Sequence, residues 1–405
     1  MRLVLEDTLS GGWRTVQPAN RGDVALYVCG PTVYDLAHVG HARTYLYFDV
    51  ARRFLETEGL RVRHVMNVTD VEDKIDQRAA ALGMSSRALA RREERAFFHD
   101  LEALGVRTPD FRPRASDYIP EMIRIGRALE RTGRVRRTGD AWVYEPPKRP
   151  EGQNFPTGQE LARHAVPEIG HPFPTARGGE RWFLVWQRHD GPRPSWTSPW
   201  GRGVPGWHLE CFAMATRLLG VPVSLHGGAR DLIYPHHYAE NEIALALHRS
   251  RFSRAFLHTG FVLQNGSKMS KSTGNLVPLR TALKAVGAGA LRWYLLRPHY
   301  TDRLKWDPRD LARAREEYDG VRRSLRSWLA PGAGGRLGAS RAEALADEVR
   351  RELSRGLRTE RVIPRLVRFA HSLDREATGR VARGERARAR RALRSIEMRT
   401  GIPLV

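Results

Sequence analysis

The strand–turn–helix–strand succession between residues 24 and 69 constrains the fold more than any other feature. "VALYVCG" (24–30) is a short apolar run closing on glycine, as in a strand buried on both faces of a parallel sheet. After it, Tyr47, Val50 and Phe54, with Phe48, Ala51 and Leu55, recur at helical spacing. That helix is expected to run to about Glu58, with Gly59 as its stop. "VRHVMNVT" (62–69) reads as a second strand, with helices through about Leu104. A unit this short implies a right-handed crossover and a parallel sheet, the first half of a doubly wound nucleotide-binding fold.

The regularity fades after residue 105. "EPPKRPEGQNFPTG" (145–158) and "HPFPTARGGERW" (171–182) are rich in Pro and Gly, which predicts an inserted subdomain with long loops. The α/β pattern resumes with a helix around "GWHLECFAMATRLL", a strand "PVSLHGG", a helix from His236 and a strand "FLHTGFVLQ" (256–264). From about Asp307 the chain reads helical, with a linker "APGAGGRLGA" (330–339). The expected division is 1–105 and 203–306 for the two halves of an α/β domain, 106–202 for the insert and 307–405 for an all-α bundle.

Lys and Arg number 68 against 45 Asp and Glu, a formal charge of +23. Such an excess attracts polyanions, nucleic acid or nucleotides above all, although arginine-rich solvated helix faces would give the same count. The segment from Arg380 to Arg399 holds eight arginines against two glutamates, read either as a solvated face or as a phosphate-backbone contact. Two cysteines exclude a disulfide-stapled secreted scaffold. "MRLVLEDTLSGGWR" lacks the apolar core of a signal peptide, and no apolar run approaches the length of a membrane helix. The expectation is a cytoplasmic protein that does not enter membranes.

Three constellations carry chemistry. His38-Val39-Gly40-His41 falls between a strand end and a helix start, where free N–H groups and the helix dipole suit phosphate. Gly40 would let a ligand approach the backbone, and the two imidazoles could stabilise charge growing on a phosphoryl group. Capping or core packing is the plain alternative. Lys268-Met269-Ser270-Lys271-Ser272, followed by Thr273, Gly274 and Asn275, could grip a polyphosphate on a moving loop, or be flexible surface. Cys29, Cys211 and "HHYAENE" offer thiolate, imidazole and carboxylate ligands. His236 and Glu240 share a helix face by i,i+4 spacing, with His237 and Glu242 as competitors, and the set fits zinc. Two unrelated core thiols are the alternative.

At these residues the sequence resembles the class I cysteinyl-tRNA synthetases. The resemblance rests on "YVCGPTVYDLAHVGHAR", "NVTDVEDKI", "PSWTSPWGRGVPGWHLEC", "LHGGARDLIYPHH" and "NGSKMSKSTGN", in family order from about Tyr27 to Asn275. "HYTDRLKW" resembles the family's link to its helical domain. The resemblance implies a doubly wound, Rossmann-like class I catalytic domain with HIGH and KMSKS signatures, an inserted subdomain and a C-terminal helical bundle that binds tRNA. It implies one Zn2+ per chain, held by Cys29, Cys211, His236 and Glu240, to which the thiolate of L-cysteine adds as a ligand. Zinc stabilises a thiolate far better than a serine hydroxyl, which supplies discrimination that shape cannot. It also implies that Thr69, Trp207 and His226 lie near the substrate and that His38, Gly40 and His41 contact ATP. Lys268 and Lys271 would hold the departing pyrophosphate, and Asp231 would reach the ribose. Mg2+ would accompany ATP, tRNA(Cys) would accept the cysteinyl group, and a monomer is expected.

Three departures from the family pattern stand out. "RWFLVWQRH" (181–189) replaces the usual acidic-Phe and Leu-Trp-Lys elements, and "SRGLRTERVIP" replaces an Asp-rich, Asn-Thr-Pro helix. The chain also stops near the end of the bundle, without a small mixed module that many members use at the anticodon. The rival enzyme is the family's paralogue that ligates activated cysteine to an amino-sugar pseudodisaccharide. Thr32-Val33-Tyr34, His226, Lys74 in "DVEDKI" and the arginine-rich last helix favour tRNA. A non-catalytic RNA- or metal-binding paralogue would have eroded ATP signatures, and both are intact.

Overall fold

The computed structural model describes residues 1–19, 22–147, 182–191, 193–269, 274–330, 339–375 and 383–405. Two short strands, β1 (Val4–Glu6) and β2 (Trp13–Thr15), pair antiparallel at the start of the chain. Then come β3 (Val24–Val28), α1 (Val39–Thr57) and β4 (Val62–Met66). β3 and β4 pair in parallel, with Val24 opposite Val62 and Val28 opposite Met66, so α1 is the expected crossover. Every β3 residue is buried, and α1 lays Leu46, Val50 and Phe54 into the same core. After the C-cap Glu58, Gly59 takes a φ of 83°, the left-handed geometry that ends a helix at glycine.

Helices α2 (Asp73–Ala81), α3 (Ser86–Ala103) and α4 (Ile119–Glu130) follow. A second, antiparallel sheet has the order β5 (Val135–Thr138), β6 (Ala141–Tyr144), β7 (Phe183–Arg188) and β8 (Gly203–Pro205). Most of the two Pro/Gly-rich stretches lies outside the described residues. The chain then returns through α5 (Trp207–Leu218), β9 (Leu225–Ala229), α6 (Tyr238–His248) and β10 (Phe256–Thr259), with α4 packed on α5 and α6. The central sheet is wholly parallel in the order β10-β9-β3-β4. Its order reverses between β3 and β9, the switch point where doubly wound sheets bind ligands at the strands' carboxyl ends.

The single strand expected over 256–264 is two strands in two sheets. β10 stops at Thr259, and β11 (Val262–Gln264) pairs antiparallel with β12 (Ser267–Lys268) and in parallel with β13 (Leu304–Lys305). The break falls at Gly260, where a Cβ would lie 2.1 Å from the Asp302 carbonyl oxygen. Apolar character runs across this break unchanged, so only the close backbone approach reveals it. The helix expected from His236 begins at Tyr238, and His236 and His237 sit in the wider turn before it.

After α7 (Leu279–Leu295) and β13, the elements among the described residues are all helices: α8 (Pro308–Leu329), α9 (Ala339–Ser354), α10 (Thr359–Arg375) and α11 (Arg383–Thr400). The linker residues 331–338 lie outside the described residues. α11 buries Ala389, Leu393 and Ile396 against α9 and α1, leaving Arg390, Arg391 and Arg394 exposed. The fully buried Arg292 of α7 joins the layers, donating to Asp49 Oδ2 and to the Thr400 carbonyl, each at 2.7 Å. No described helix is long and apolar enough to cross a membrane.

Candidate active site and metal centre

Four segments converge at the carboxyl end of β3. Cys29 follows that strand directly, Cys211 lies on the second turn of α5, His226 sits on β9, and the turn into α6 presents His236, His237 and then Glu240. None of the six is more than 5% exposed. The thiols are free, with their sulfurs 3.6 Å apart. His236 Nε2 stands 3.2 Å from Glu240 Oε1, as the i,i+4 spacing requires. Two overlapping groups bring donor atoms within 4.8 Å of one another: Cys29, Cys211, His236 and Glu240, and Cys29, His226, His237 and Glu240.

Hydrogen bonding separates the two groups. Both ring nitrogens of His226 are engaged, Nδ1 with the Tyr27 carbonyl at 3.0 Å and Nε2 with Glu240 Oε2 at 2.8 Å. His237 Nε2 faces Cys29 Sγ at 3.2 Å, and its Nδ1 meets His258 Nε2 at 2.6 Å. In contrast, His236 Nε2 and Glu240 Oε1 are buried facing each other at 3.2 Å beside Cys211, and among the described residues neither atom makes a well-formed hydrogen bond. Polar atoms satisfied this loosely at such depth keep acceptor capacity that a cation can take up. Two thiols, an imidazole and a carboxylate oxygen aimed at one point fit a tetrahedral cation, so this is a candidate metal site. His208 Nδ1 meets His236 Nδ1 at 3.0 Å, the kind of outer contact that orients a ligand ring.

The electrostatics agree with that choice. Burial opposes ionisation of Cys211, yet the Cys29 thiol and the neighbouring His236 outweigh it and bring Cys211 down to about 6. Burial also opposes the charged forms of His236 and Glu240, but their mutual attraction prevails: His236 rises to about 10 and Glu240 falls to about 2. Cys29 is pushed well up, by burial first and then by Cys211.

A chain of partners lies behind Cys29. Thr8 Oγ1 donates to the Phe256 carbonyl at 2.9 Å, so toward His258 Nδ1 it must accept. That assigns the proton of neutral His258 to Nδ1, the proton of neutral His237 to its own Nδ1, and a lone pair on His237 Nε2 toward the Cys29 thiol. Burial holds both imidazoles well below the ordinary histidine range, in keeping with these neutral forms. Sequence reasoning missed Thr8, Tyr27, His208 and His258; a histidine inside the apolar run "FLHT" was the one available signal for His258.

Trp207, the first residue of α5, stacks on His236 with ring centres 4.0 Å apart, at the edge of the cluster. Thr69 is buried in the loop after β4, bridged to Thr32 in the loop after β3. Asn67 fixes both loops, accepting from the Gly30 amide at 2.8 Å and donating to Thr69 Oγ1 at 3.3 Å. A side chain on Gly30 would run into the Asn67 carbonyl.

The HVGH turn opens α1 beside this cluster. His38 is the N-cap: its Nδ1 accepts from the His41 amide at 3.3 Å, while His41 Nδ1 accepts from the His38 amide at 3.5 Å. The rings stack 3.6 Å apart, and a Cβ on Gly40 would strike the His38 ring at 2.9 Å. Capping therefore uses the Nδ1 atoms, and glycine is required for the stack. Tyr45, one turn on, donates to the Cys29 carbonyl at 3.1 Å and ties α1 to the cysteine. Lys268 pairs with Asp231 at 2.8 Å, bringing the first KMSKS lysine to the residue expected at the ribose. Lys271 lies outside the described residues.

Residues 15–316 match the family model described as the tRNA synthetases class I (C) catalytic domain. A cysteine–tRNA ligase of Anaeromyxobacter dehalogenans is 38% identical over 364 residues, 86% of this chain and 74% of that protein. One from Pyrococcus furiosus is 40% identical over 309 residues, 75% of this chain and 63% of its own length. Among solved structures, Mycobacterium tuberculosis methionyl-tRNA synthetase bound to methionyl-adenylate superposes with a TM-score of 0.58 at 19% identity, covering 93% of this chain and 90% of that one. The Agrobacterium radiobacter LeuRS–tRNA–LeuAMS complex gives 0.66 at 11% identity, covering 95% and 85%. The two structures share the fold. With the family model matched over three-quarters of its length, this chain belongs to the class I (C) tRNA synthetases.

Proposed function

We propose that this chain activates L-cysteine with ATP and transfers the cysteinyl group to the 3′-terminal adenosine of tRNA(Cys). The observation that carries this reading is the buried pair His236 Nε2 and Glu240 Oε1, without a well-formed hydrogen bond among the described residues, facing two thiols one strand-end away from the HVGH turn. Zn2+ held by Cys29, Cys211, His236 and Glu240 would supply a Lewis acid that favours a thiolate over a hydroxyl. Trp207 would wall the pocket over His236, and His226 would keep Glu240 oriented. Thr69 would line the side formed by the loops after β3 and β4.

In the first step the cysteine carboxylate attacks the α-phosphorus of Mg2+-bound ATP and pyrophosphate leaves. His38, Gly40 and His41 would receive the triphosphate at the α1 N-terminus, the imidazoles stabilising the added charge, with Lys268 and Lys271 on the leaving pyrophosphate and Asp231 on the ribose. In the second step the terminal adenosine hydroxyl attacks the cysteinyl carbonyl and AMP leaves. Positioning and charge stabilisation suffice for both steps, so no side-chain nucleophile is needed.

The division 1–105, 106–202, 203–306 and 307–405 is part of the proposal, with the bundle as the tRNA-binding part. The exposed Arg390, Arg391 and Arg394 of α11 suit a phosphate backbone. A cytoplasmic monomer is the proposed state. The test offers the zinc-loaded protein, ATP and labelled cysteine two acceptors, tRNA(Cys) and an amino-sugar pseudodisaccharide. Transfer to tRNA supports the reading. Ligation of the sugar, with every cysteine tRNA refused, overturns it in favour of the paralogous ligase.

A further inference from the structure

Arg43 sits two residues beyond His41 and is fully buried. Its guanidinium donates from Nη1 to the carbonyls of Gly260 at 3.0 Å and Phe261 at 3.2 Å, and from Nη2 to the carbonyl of His299 at 2.9 Å. Its Nε is buried without a hydrogen-bond partner among the described residues. Asp302 attracts this cation and the Tyr47 hydroxyl lies beside it, but among the described residues its guanidinium nitrogens donate to three backbone carbonyls and to no carboxylate. Apolar residues of similar volume commonly give equal or greater stability at such a place. What the guanidinium adds over an apolar residue is direction, since its donors hold three carbonyls of two separate segments.

What it fixes is the lead into the KMSKS segment. Gly260 and Phe261 join β10 of the catalytic sheet to β11, which pairs with β12, where Lys268 lies. The neighbouring Thr44 hydroxyl meets Thr259 Oγ1 at 2.7 Å, and the Gly260 amide donates to the Tyr300 carbonyl at 2.7 Å. The far side of the segment is tied to the same turn of α1. The Val39 amide donates to the Val277 carbonyl at 3.1 Å, and the Leu279 amide to the Ala37 carbonyl at 2.9 Å. Both ends of the stretch that carries Lys268 are therefore anchored on residues 37–44, one end by backbone and the other by Arg43.

We propose that Arg43 is a positioning residue for ATP: its fork fixes the β11–β12 hairpin relative to the HVGH turn, so that Lys268 and the two imidazoles address one triphosphate. This rests on the proposed cysteine activation. Arg43 touches no donor of the metal cluster, so its role separates from metal and cysteine binding.

The test compares wild type, Arg43→Met and Arg43→Lys in cysteine-dependent ATP–pyrophosphate exchange, with metal content and peptide deuterium uptake measured on the same preparations. Arg43→Met should slow exchange about 100-fold, the scale of an ångström misplacement remote from the reacting atoms, and raise the KM for ATP. The KM for cysteine and the zinc content should stay at wild-type values. Arg43→Lys, which keeps the charge and three donors, should recover part of the loss. Deuterium uptake should quicken over 260–269 and stay unchanged over 225–229 and 238–248. Wild-type exchange in Arg43→Met, or a uniform rise in uptake with cysteine and ATP affinities falling together, overturns the inference. A wild-type protein with no cysteine-dependent exchange overturns the proposed activity instead. Uptake then decides Arg43 by itself: a rise confined to 260–269 supports the positioning role and a uniform rise refutes it.

Discussion

The candidate metal cluster and the HVGH turn both gather imidazoles at the carboxyl end of β3, and they are built in opposite ways. The cluster draws its donors from residues 29, 211, 236 and 240, and burial seals each one. The turn needs four consecutive residues, caps its own helix with two ring nitrogens and stacks its rings on each other. A sealed cluster suits a group that must stay and be selective. A self-capped helix start suits a nucleotide that arrives and departs. Damage to one should therefore leave the other working, and that independence can be tested.

The largest effect is expected from Cys211→Ser, which removes a thiol whose ionisation Cys29 and His236 favour against burial. Bound zinc should fall from one per chain to nearly none by metal analysis, and the preference for cysteine over serine in pyrophosphate exchange should drop by about 10⁴. Full occupancy in this variant would remove Cys211 from the ligand set. Next in size is His41→Ala, expected to slow exchange by about 10²–10³ while zinc content and cysteine affinity hold. Metal loss in that variant would break the separation of the two sites. His258→Ala frees His237 to carry its proton on Nε2 and donate to a Cys29 thiolate, so metal affinity should rise by about 10-fold, read by competition with a chelating dye. An unchanged affinity would reduce the Thr8–His258–His237 chain to core packing.

The smallest effect is a change of slope. With Cys211 at about 6 and His236 at about 10, metal binding near pH 7.5 displaces protons from Cys29 and His236 only. Below about 6 Cys211 is protonated as well, so a third proton must leave. Log affinity should consequently fall more steeply with pH below 6 than above it. The same dye titration from pH 5 to 8 checks this, and a constant slope would contradict the assignment.

The same contrast explains what could be read from the sequence. Periodicity alone gave α1, its stop at Gly59 and the parallel β3–α1–β4 unit, because each is decided by neighbours in the chain. The HVGH turn is equally local, and its structure keeps both readings: His38 caps, and the turn still faces the switch point. Residue types and spacing offered the cluster only as one option beside two unrelated core thiols, since nothing near Cys29 announces Cys211, 182 residues away, and the resemblance chose between them. Spacing did favour His236 over His237, and the loosely satisfied Nε2 of His236, against the engaged nitrogens of His237, now gives an independent reason. The Thr8–His258 chain and the Arg43 clip escaped because each joins residues more than 200 positions apart through atoms that carry no local pattern. The strand break at Gly260 escaped for a related reason, as its cause lies at Asp302.

Cysteine-dependent ATP–pyrophosphate exchange, run with zinc-loaded protein and with serine in parallel, tests the proposed selectivity most directly. Rapid exchange with cysteine, near-background exchange with serine and loss of activity on chelation are the expected results. No exchange with cysteine from fully loaded protein, or comparable rates with both amino acids, would contradict it.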